Sequence, residues 1–393
     1  VTTPDHWIIR TVDDLCLRVT SGGTPNRSNP EYYEPATIPW VKTGDLTDAF
    51  IRDYGERISE DGVRASSAKV LPPNTVLMAM YGATVGMLGM LIEEATCNQA
   101  ACAMIANPNI CDPRWLFYAL LNDRDFIVSQ ATGAAQQNLS GKTIRQFEYS
   151  TPPLYEQKAI AEILGALDDK IAANTKLVNT ADEWVRAEYD RMANSSDEKR
   201  TIADLVTHRR NAADPALFEV HVPYVGLEHI PRRSMWLATH GTSDEVSSNK
   251  SHFQPGDILF GKLRPYFHKV VTAPKAGICS TDILVLTSIN ETLSGYALAS
   301  LSHDSVVQAV TAASEGTRMP RTSWKDLSNV EVPWPGQIAA ATLSARVQTV
   351  RSFVIGVLSE SQTLAATREA LLPQLMSGNL QVKEAEQVVA TAI

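Results

Sequence analysis

The chain lacks the short motifs that usually announce an enzyme. It has no glycine-rich dinucleotide fingerprint after a strand, no Walker lysine and no Gly-x-Ser-x-Gly elbow. An Asn-Pro-Pro-Tyr motif is also missing, because Thr151-Pro152-Pro153-Leu154 has neither the amide nor the aromatic residue. Scattered acids and lysines remain, and nothing singles them out as a nuclease centre. Cysteine is scarce: five residues, an odd number without paired spacing, suit a reducing cytoplasm rather than a disulfide framework. No N-terminal stretch combines a basic region, an apolar core and a cleavage site, so an export signal is not expected. Long hydrophobic runs are likewise absent. The uncharged, largely apolar stretch Val76 to Ile92 touches only the lower length limit for a membrane helix, is broken by Gly82, Gly86 and Gly89, and follows Pro72-Pro73. It reads as two buried strands around a Tyr81-Gly82 turn. Without a following Lys-Ser/Thr, its glycines do not make a phosphate loop.

An excess of positive charge is missing too. The formal net charge is −9 and the pI about 5.5, whereas a self-sufficient nucleic-acid binder is expected to be basic. The acidity is local: residues 1–150 hold 12 basic against 17 acidic side chains, 151–199 hold 6 against 10, and 200–335 balance at 13 each. Seven of the eight histidines fall in that balanced segment at irregular spacings, with no Cys or Glu at a ligand interval, which argues against a metal site. Cys97 and Cys102 read as buried thiols. With 393 residues, 44% hydrophobic and 20% charged, the chain suits two or three globular domains with proper cores.

What is present is a duplicated pattern. From Ile160, steps of four and three land on Leu164, Leu167, Ile171, Asn174, Val178, Ala181, Val185, Glu188 and Met192. This is a heptad seam with polar breaks at Asn174 and Glu188. Pro152 and Pro153 can open such a helix, and Glu156 suits its positive end; forty-odd residues would span about 60 Å at about 1.5 Å each. A second seam runs through Leu343, Val347, Val350, Val354, Val357, Ser361, Leu364, Arg368, Leu371 and Leu375. A shift of 183 residues carries Leu164 onto Val347 and Leu167 onto Val350, so the seams are in phase. Similar shifts carry Leu71-Pro72-Pro73 onto Phe253-Gln254-Pro255, Ile38-Pro39-Trp40-Val41 onto Val222-Pro223-Tyr224-Val225, Cys97-Asn98-Gln99 onto Cys279-Ser280-Thr281, and Gly133 onto Gly316. The chain is a globular unit and a long helix, written twice.

Candidate contact residues sit in the loops of the two units. In the first, the glycine-rich stretch Ser21 to Pro35, with Thr24, is either a plain connection or a phosphate cradle. Trp40 to Asp45 reads as a strand ending in a polar turn at Lys42 and Thr43, and Asp112 to Asp125 as a short helix. Tyr81 lies at the turn of the buried hairpin. Thr132 to Asn138 is dense in amides, and Gln136, Gln137 and Asn138 could bond adenine edges; Lys142 follows. In the second unit, Lys262-Leu263-Arg264-Pro265-Tyr266-Phe267-His268-Lys269 follows the strand Ile258 to Phe260 and mixes cations with aromatics. Lys262, Arg264, Tyr266 and His268 are candidates there, with the Arg209-Arg210 pair, Arg318, Arg321 and Lys325. Arg264, Arg318 and Arg321 are the leading choices for guanine or phosphate.

The motif Pro152-Pro153-Leu154-Tyr155-Glu156-Gln157, leading into Ile160, Leu167 and Ile171, resembles the start of the first central helix in specificity subunits of Type I restriction-modification systems. Leu371-Leu372-Pro373-Gln374-Leu375-Met376-Ser377-Gly378 is similar to the end of their second, and Ser21-Gly22-Gly23-Thr24-Pro25 with Ile38 to Val41 to the beginning of a target-recognition domain. One departure is that the second helix opens Pro335-Gly336-Gln337-Ile338, without the Glu-Gln pair, which puts equivalent partner contacts in doubt. The resemblance implies an α+β chain: recognition domains at 1–151 and 197–335, antiparallel coiled-coil spacer helices at 152–196 and 336–378, and a tail at 379–393 that is either a fraying end or a tether. It further implies a cytoplasmic, non-catalytic subunit that binds double-stranded DNA, and two methyltransferase subunits carrying S-adenosylmethionine. Where restriction accompanies modification, a motor-nuclease subunit using ATP and Mg would join. No cofactor, metal or membrane is expected on this chain. The alternatives are a stand-alone DNA-binding regulator and an enzyme with an unrecognised site.

Overall fold

The computed structural model describes residues 4–133, 138–214, 221–314 and 319–392. The chain divides into two compact units: Val1–Ile171 with Thr363–Ile393, and Ala172–Gln362. Both divisions fall inside the long helices, Leu154–Ala193 and Gln337–Met376, so each helix contributes to both units. Among the described residues no helix is long and apolar enough to cross a membrane.

In the first unit the uncharged run does form two strands, Val76–Ala79 and Leu88–Leu91, paired antiparallel with Val76 opposite Met90. They are central in a five-stranded sheet ordered Cys16–Ser21, Ala101–Ala106, Val76–Ala79, Leu88–Leu91, Ala49–Ile51. Strand alternation sends Val76 and Met78 into the core under the helix Pro113–Asn122, with Trp115, Leu116 and Phe117. Leu77 and Ala79 go to the opposite face, with Val41, Leu71 and Cys97. Burial on both faces is why the run carries no charge; each large apolar side chain so buried contributes about 1.5–3 kcal/mol. A smaller sheet places Ile38–Val41 parallel to Thr96–Cys97, with Val41 opposite Cys97. Asp112 caps the helix by accepting from the Arg114 and Trp115 amides at 2.9 and 3.1 Å, and the helix stops at Asn122, a new one starting at Arg124.

The second unit repeats this plan. Its four-stranded sheet runs Val206–His208, Ile283–Ser288, Ile258–Gly261, Val270–Thr272, the order of the first sheet without the outer strand. Ile258 and Phe260 face the core with Tyr296 and Val306, while Leu259 and Val271 face the other side. The parallel pair recurs between Pro223–Val225 and Gly277–Cys279, with Val225 opposite Cys279. The internal repeat read from the sequence is therefore a repeat of topology.

The polar positions of the seams meet one another. In the second unit Asn174, buried, donates from Nδ2 to Glu360 Oε2 at 2.7 Å and to Ser361 Oγ at 3.1 Å. Further along, Arg346 pairs with Glu188 at 3.1 Å. As the first helix ascends from 174 to 188 its partner descends from 361 to 346, so the pair is antiparallel. In the first unit Arg368 pairs with Asp168 at 2.6 Å, and Tyr118 donates to the same carboxylate at 2.6 Å. Leu164, Leu167, Val347, Val354 and Leu364 are fully buried, Val178 and Val357 nearly so, and Ile171 and Val350 are partly exposed.

Two details of the helix ends were not expected. Gln157 does not face outward: its side chain is buried, accepts from the Asp112 amide at 2.8 Å and donates to the carbonyls of Ile110 and Pro152 at 3.0 and 2.9 Å. It ties the helix start to its own domain, and Ala340, at the corresponding place in the second copy, is simply packed. The segment after Gly378 forms a helix, Val382–Ala392, with Ala385 buried in the first unit's core beside Leu380 and Val389. Gly378 itself takes a φ of +73°, which lets the chain turn after Met376 close against Pro4 and Trp7.

Candidate nucleic-acid interface

In the first unit, the chain leaving the buried strand Val76–Ala79 is caught by the segment that precedes the short helix Gly141–Arg145. Leu139 N–H donates to the Met80 carbonyl at 2.8 Å, and Tyr81 and Asn138 face each other in an isolated antiparallel bridge. Ser140 caps the helix by accepting from the Thr143 amide at 3.0 Å, which leaves Lys142 exposed on its first turn. The turn after Cys97 is pinned by Asn98 N–H on the Val41 carbonyl at 2.9 Å and brings Gln99 alongside, where it accepts from the Thr24 hydroxyl. Tyr81, Gln99, Asn138 and Lys142 thus border one open hollow of about 500 Å³. Gln99 carried no signal in the sequence beyond its place in the triplet that the repeat sets opposite Cys279-Ser280-Thr281. Gln136 and Gln137 lie outside the described residues.

Lys42 and Thr43 lie elsewhere in this unit. Lys42 reaches Glu56 at 2.9 Å, and Arg27 bonds the same carboxylate while stacking over the Tyr33 and Trp40 rings, each centroid 4.8 Å away. The Arg27 bond, joined by Lys42 and opposed by partial burial, holds the Glu56 carboxyl down at about 2. Thr43 begins a one-turn helix closed by Asp45, which accepts from the Lys42 amide at 2.8 Å. Ordinary turn chemistry accounts for this stretch.

The second unit closes the same frame with different side chains. Thr322 N–H donates to the Lys262 carbonyl at 3.0 Å, Leu263 and Arg321 form the isolated bridge, and Ser323 caps the short helix Trp324–Ser328 through the Asp326 amide at 3.2 Å. Lys325 is exposed on that helix. Arg321 is held by Asp282 at 2.6 Å, and burial pushes the half-covered Lys262 ammonium below its ordinary value. Arg264 takes a left-handed backbone with a φ of 49° and lies 5.9 Å from the Phe267 ring. Tyr266 is 51% exposed. Arg318 lies outside the described residues.

Two candidates of the second unit are engaged by groups of their own domain. His268 is buried, with Nε2 at 2.8 Å from the Ser302 carbonyl and Nδ1 at 3.2 Å from Asp304, so it fixes the loop rather than reaching a ligand. Arg209 bridges to the buried Asp257 at 3.0 Å and to Thr287 at 3.2 Å, which makes it a support of the sheet. Its neighbour Arg210 remains exposed, 3.3 Å from the His208 ring. Cys97, Cys102 and Cys279 are buried, and burial raises each thiol to about 12, which leaves them unreactive.

The first unit gathers an exposed lysine, amides and an aromatic edge around one hollow, and the second carries Arg321 and an exposed lysine on the same backbone frame: groups that bond phosphates and base edges. Residues 4–182 match the family described as the Type I restriction modification DNA specificity domain. The MjaIX Type I restriction enzyme specificity subunit of Methanocaldococcus jannaschii is 22% identical over 97% of this chain and 95% of its own length. The EcoR124I/EcoR124II specificity subunit of Escherichia coli is 26% identical over 37% of each chain. In fold, the crystal structure of a Type I restriction-modification system S subunit from M. genitalium superposes with a TM-score of 0.60 at 16% identity, covering 95% of this chain and 98% of that one. Residues 4–182 thus carry the match to a Type I DNA specificity domain, and the chain as a whole is similar in sequence and in fold to specificity subunits of Type I restriction-modification systems.

Proposed function

We propose that this chain reads a bipartite, asymmetric DNA sequence, each globular unit reading one half and the paired helices setting the gap between the halves. The observation that carries this is one fold built twice with different side chains at matching surface positions: Tyr81, Gln99 and Asn138 in the first copy, Leu263, Thr281 and Arg321 in the second. A dimer of identical readers takes a palindrome; two unlike copies in one chain call for two unlike half-sites. The subunit performs no chemistry itself. It scaffolds two methyltransferase subunits, which bring S-adenosylmethionine, and a restriction subunit with ATP and Mg where one is present. The acidic balance of residues 1–150 fits a chain whose phosphate affinity comes largely from its partners.

Methylation-aware sequencing of a genome carrying the system tests the reading. A split motif of two unequal halves, modified on both strands, is expected; a continuous or palindromic motif contradicts it. Anisotropy of the isolated chain on its own duplex should show weak, salt-sensitive binding, and nanomolar, salt-resistant binding without partners would point instead to a stand-alone regulator.

A further inference from the structure

The two copies serve as controls for each other because they close the same backbone frame. The amide of Leu139 on Met80 corresponds to that of Thr322 on Lys262, the Tyr81–Asn138 bridge to the Leu263–Arg321 bridge, and the Ser140 cap to the Ser323 cap. Four residues beyond the bridge, each copy carries a lysine: Lys142 after Asn138, Lys325 after Arg321. Both lysines are exposed on the first turn of the short helix, and no ion pair holds either of them among the described residues. Apart from the capping serines, the copies disagree at the other positions of the frame.

A duplex presents the same phosphates at every half-site and different base edges. Residues that meet phosphate can therefore stay alike between two readers, whereas residues that meet bases must diverge if the half-sites do. Resting on the reading of the chain as a bipartite recognition subunit, we infer that Lys142 and Lys325 are its matched phosphate contacts, and that Asn138 with Gln99 in one unit and Arg321 in the other are its base-reading residues. The chemistry names the bases. An amide pairs with the N6 and N7 edge of adenine, and a guanidinium with O6 and N7 of guanine. Gln99 is already oriented by the Thr24 hydroxyl. Arg321 is oriented by Asp282 at 2.6 Å through one of its nitrogens, and a guanidinium so held keeps further donors for a base.

The test uses the full chain co-expressed with the modification subunits of its own system, on duplexes carrying its methylated motif and every single-base variant of it. K142A and K325A should weaken all duplexes alike, keep their ranking, and each reduce the slope of log K against log salt by about 0.9. N138A should lose about 5- to 150-fold of preference at an adenine in one half only, and R321A the same at a guanine in the other. R321K should keep the salt slope of the parent and still lose that preference, because an ammonium lacks the planar fork. A ranking altered by K142A or K325A, or one left intact by N138A and R321A, overturns the assignment. A parent chain that ranks no sequence above another overturns the recognition reading itself.

Discussion

A cation or imidazole can meet DNA only if its own fold leaves it free, and that is settled by partners distant in sequence. His268 looked like part of a basic, aromatic loop, yet Ser302 and Asp304 take both of its nitrogens. Burial, reinforced by Arg186 and Arg233 and opposed by the Ser302 carbonyl and Asp304, lowers its pKa below the ordinary 6.5. The folded state thus keeps His268 neutral where the unfolded chain takes up a proton. Its stabilisation is complete above about pH 6.5 and fades as the pH falls through that value. Melting the parent and H268Q at pH 7.5 and 5.5 should show the larger acid-induced drop in the parent; equal drops would contradict the assignment. Gln157 teaches the same lesson from the other side. Its place beside Glu156 in a family motif suggested partner contact, whereas it satisfies one amide and two carbonyls of its own domain. Gln157→Leu strands those groups and should cost about 1–3 kcal/mol, read as a lower denaturant midpoint at unchanged slope.

At the scale of elements, the heptad seams and the buried hairpin were legible because burial imposes a period on the sequence: 3.5 residues for paired helices, 2 for a strand, and no charge for strands covered on both faces. Even the polar breaks were informative, since Asn174, Ser361, Glu188 and Arg368 all find partners on the facing helix. What the period hid is that each long helix has a second buried face. Asp182 accepts from the Met235 amide at 2.8 Å, Tyr189 packs 5.6 Å from Tyr296, and Ser344 accepts from the Gly295 amide at 2.8 Å, all off the seam. A single helix sequence shows one stripe clearly and blurs two. The consequence is graded: Leu164→Ala, at a fully buried position, should cost about 2–5 kcal/mol. Val350→Ala, at a half-covered one, should cost distinctly less than Val354→Ala, which is fully enclosed. Chemical denaturation of the three variants checks the order, and equal losses at Val350 and Val354 would contradict the seam as described.

For the whole molecule, the duplication was readable because a shift of about 183 residues preserves apolar pattern and turn chemistry, which the fold demands twice. The proposed contact residues were only half readable. Lys142 and Lys325 follow from the repeat, but the value of Gln99 depends on a parallel strand pair that joins residues 56 positions apart, Val41 and Cys97. Surface chemistry is also under no periodic constraint, so its pattern differs between copies and is missed by any search for sameness. The central claim is that two independent readers share one chain. The most direct measurement is the methylation motif written by a chimera in which residues 197–335 are replaced by the matching segment of another specificity subunit. The account predicts that one half of the motif changes while the other half and the gap between them stay as they were; a motif altered in both halves would contradict it.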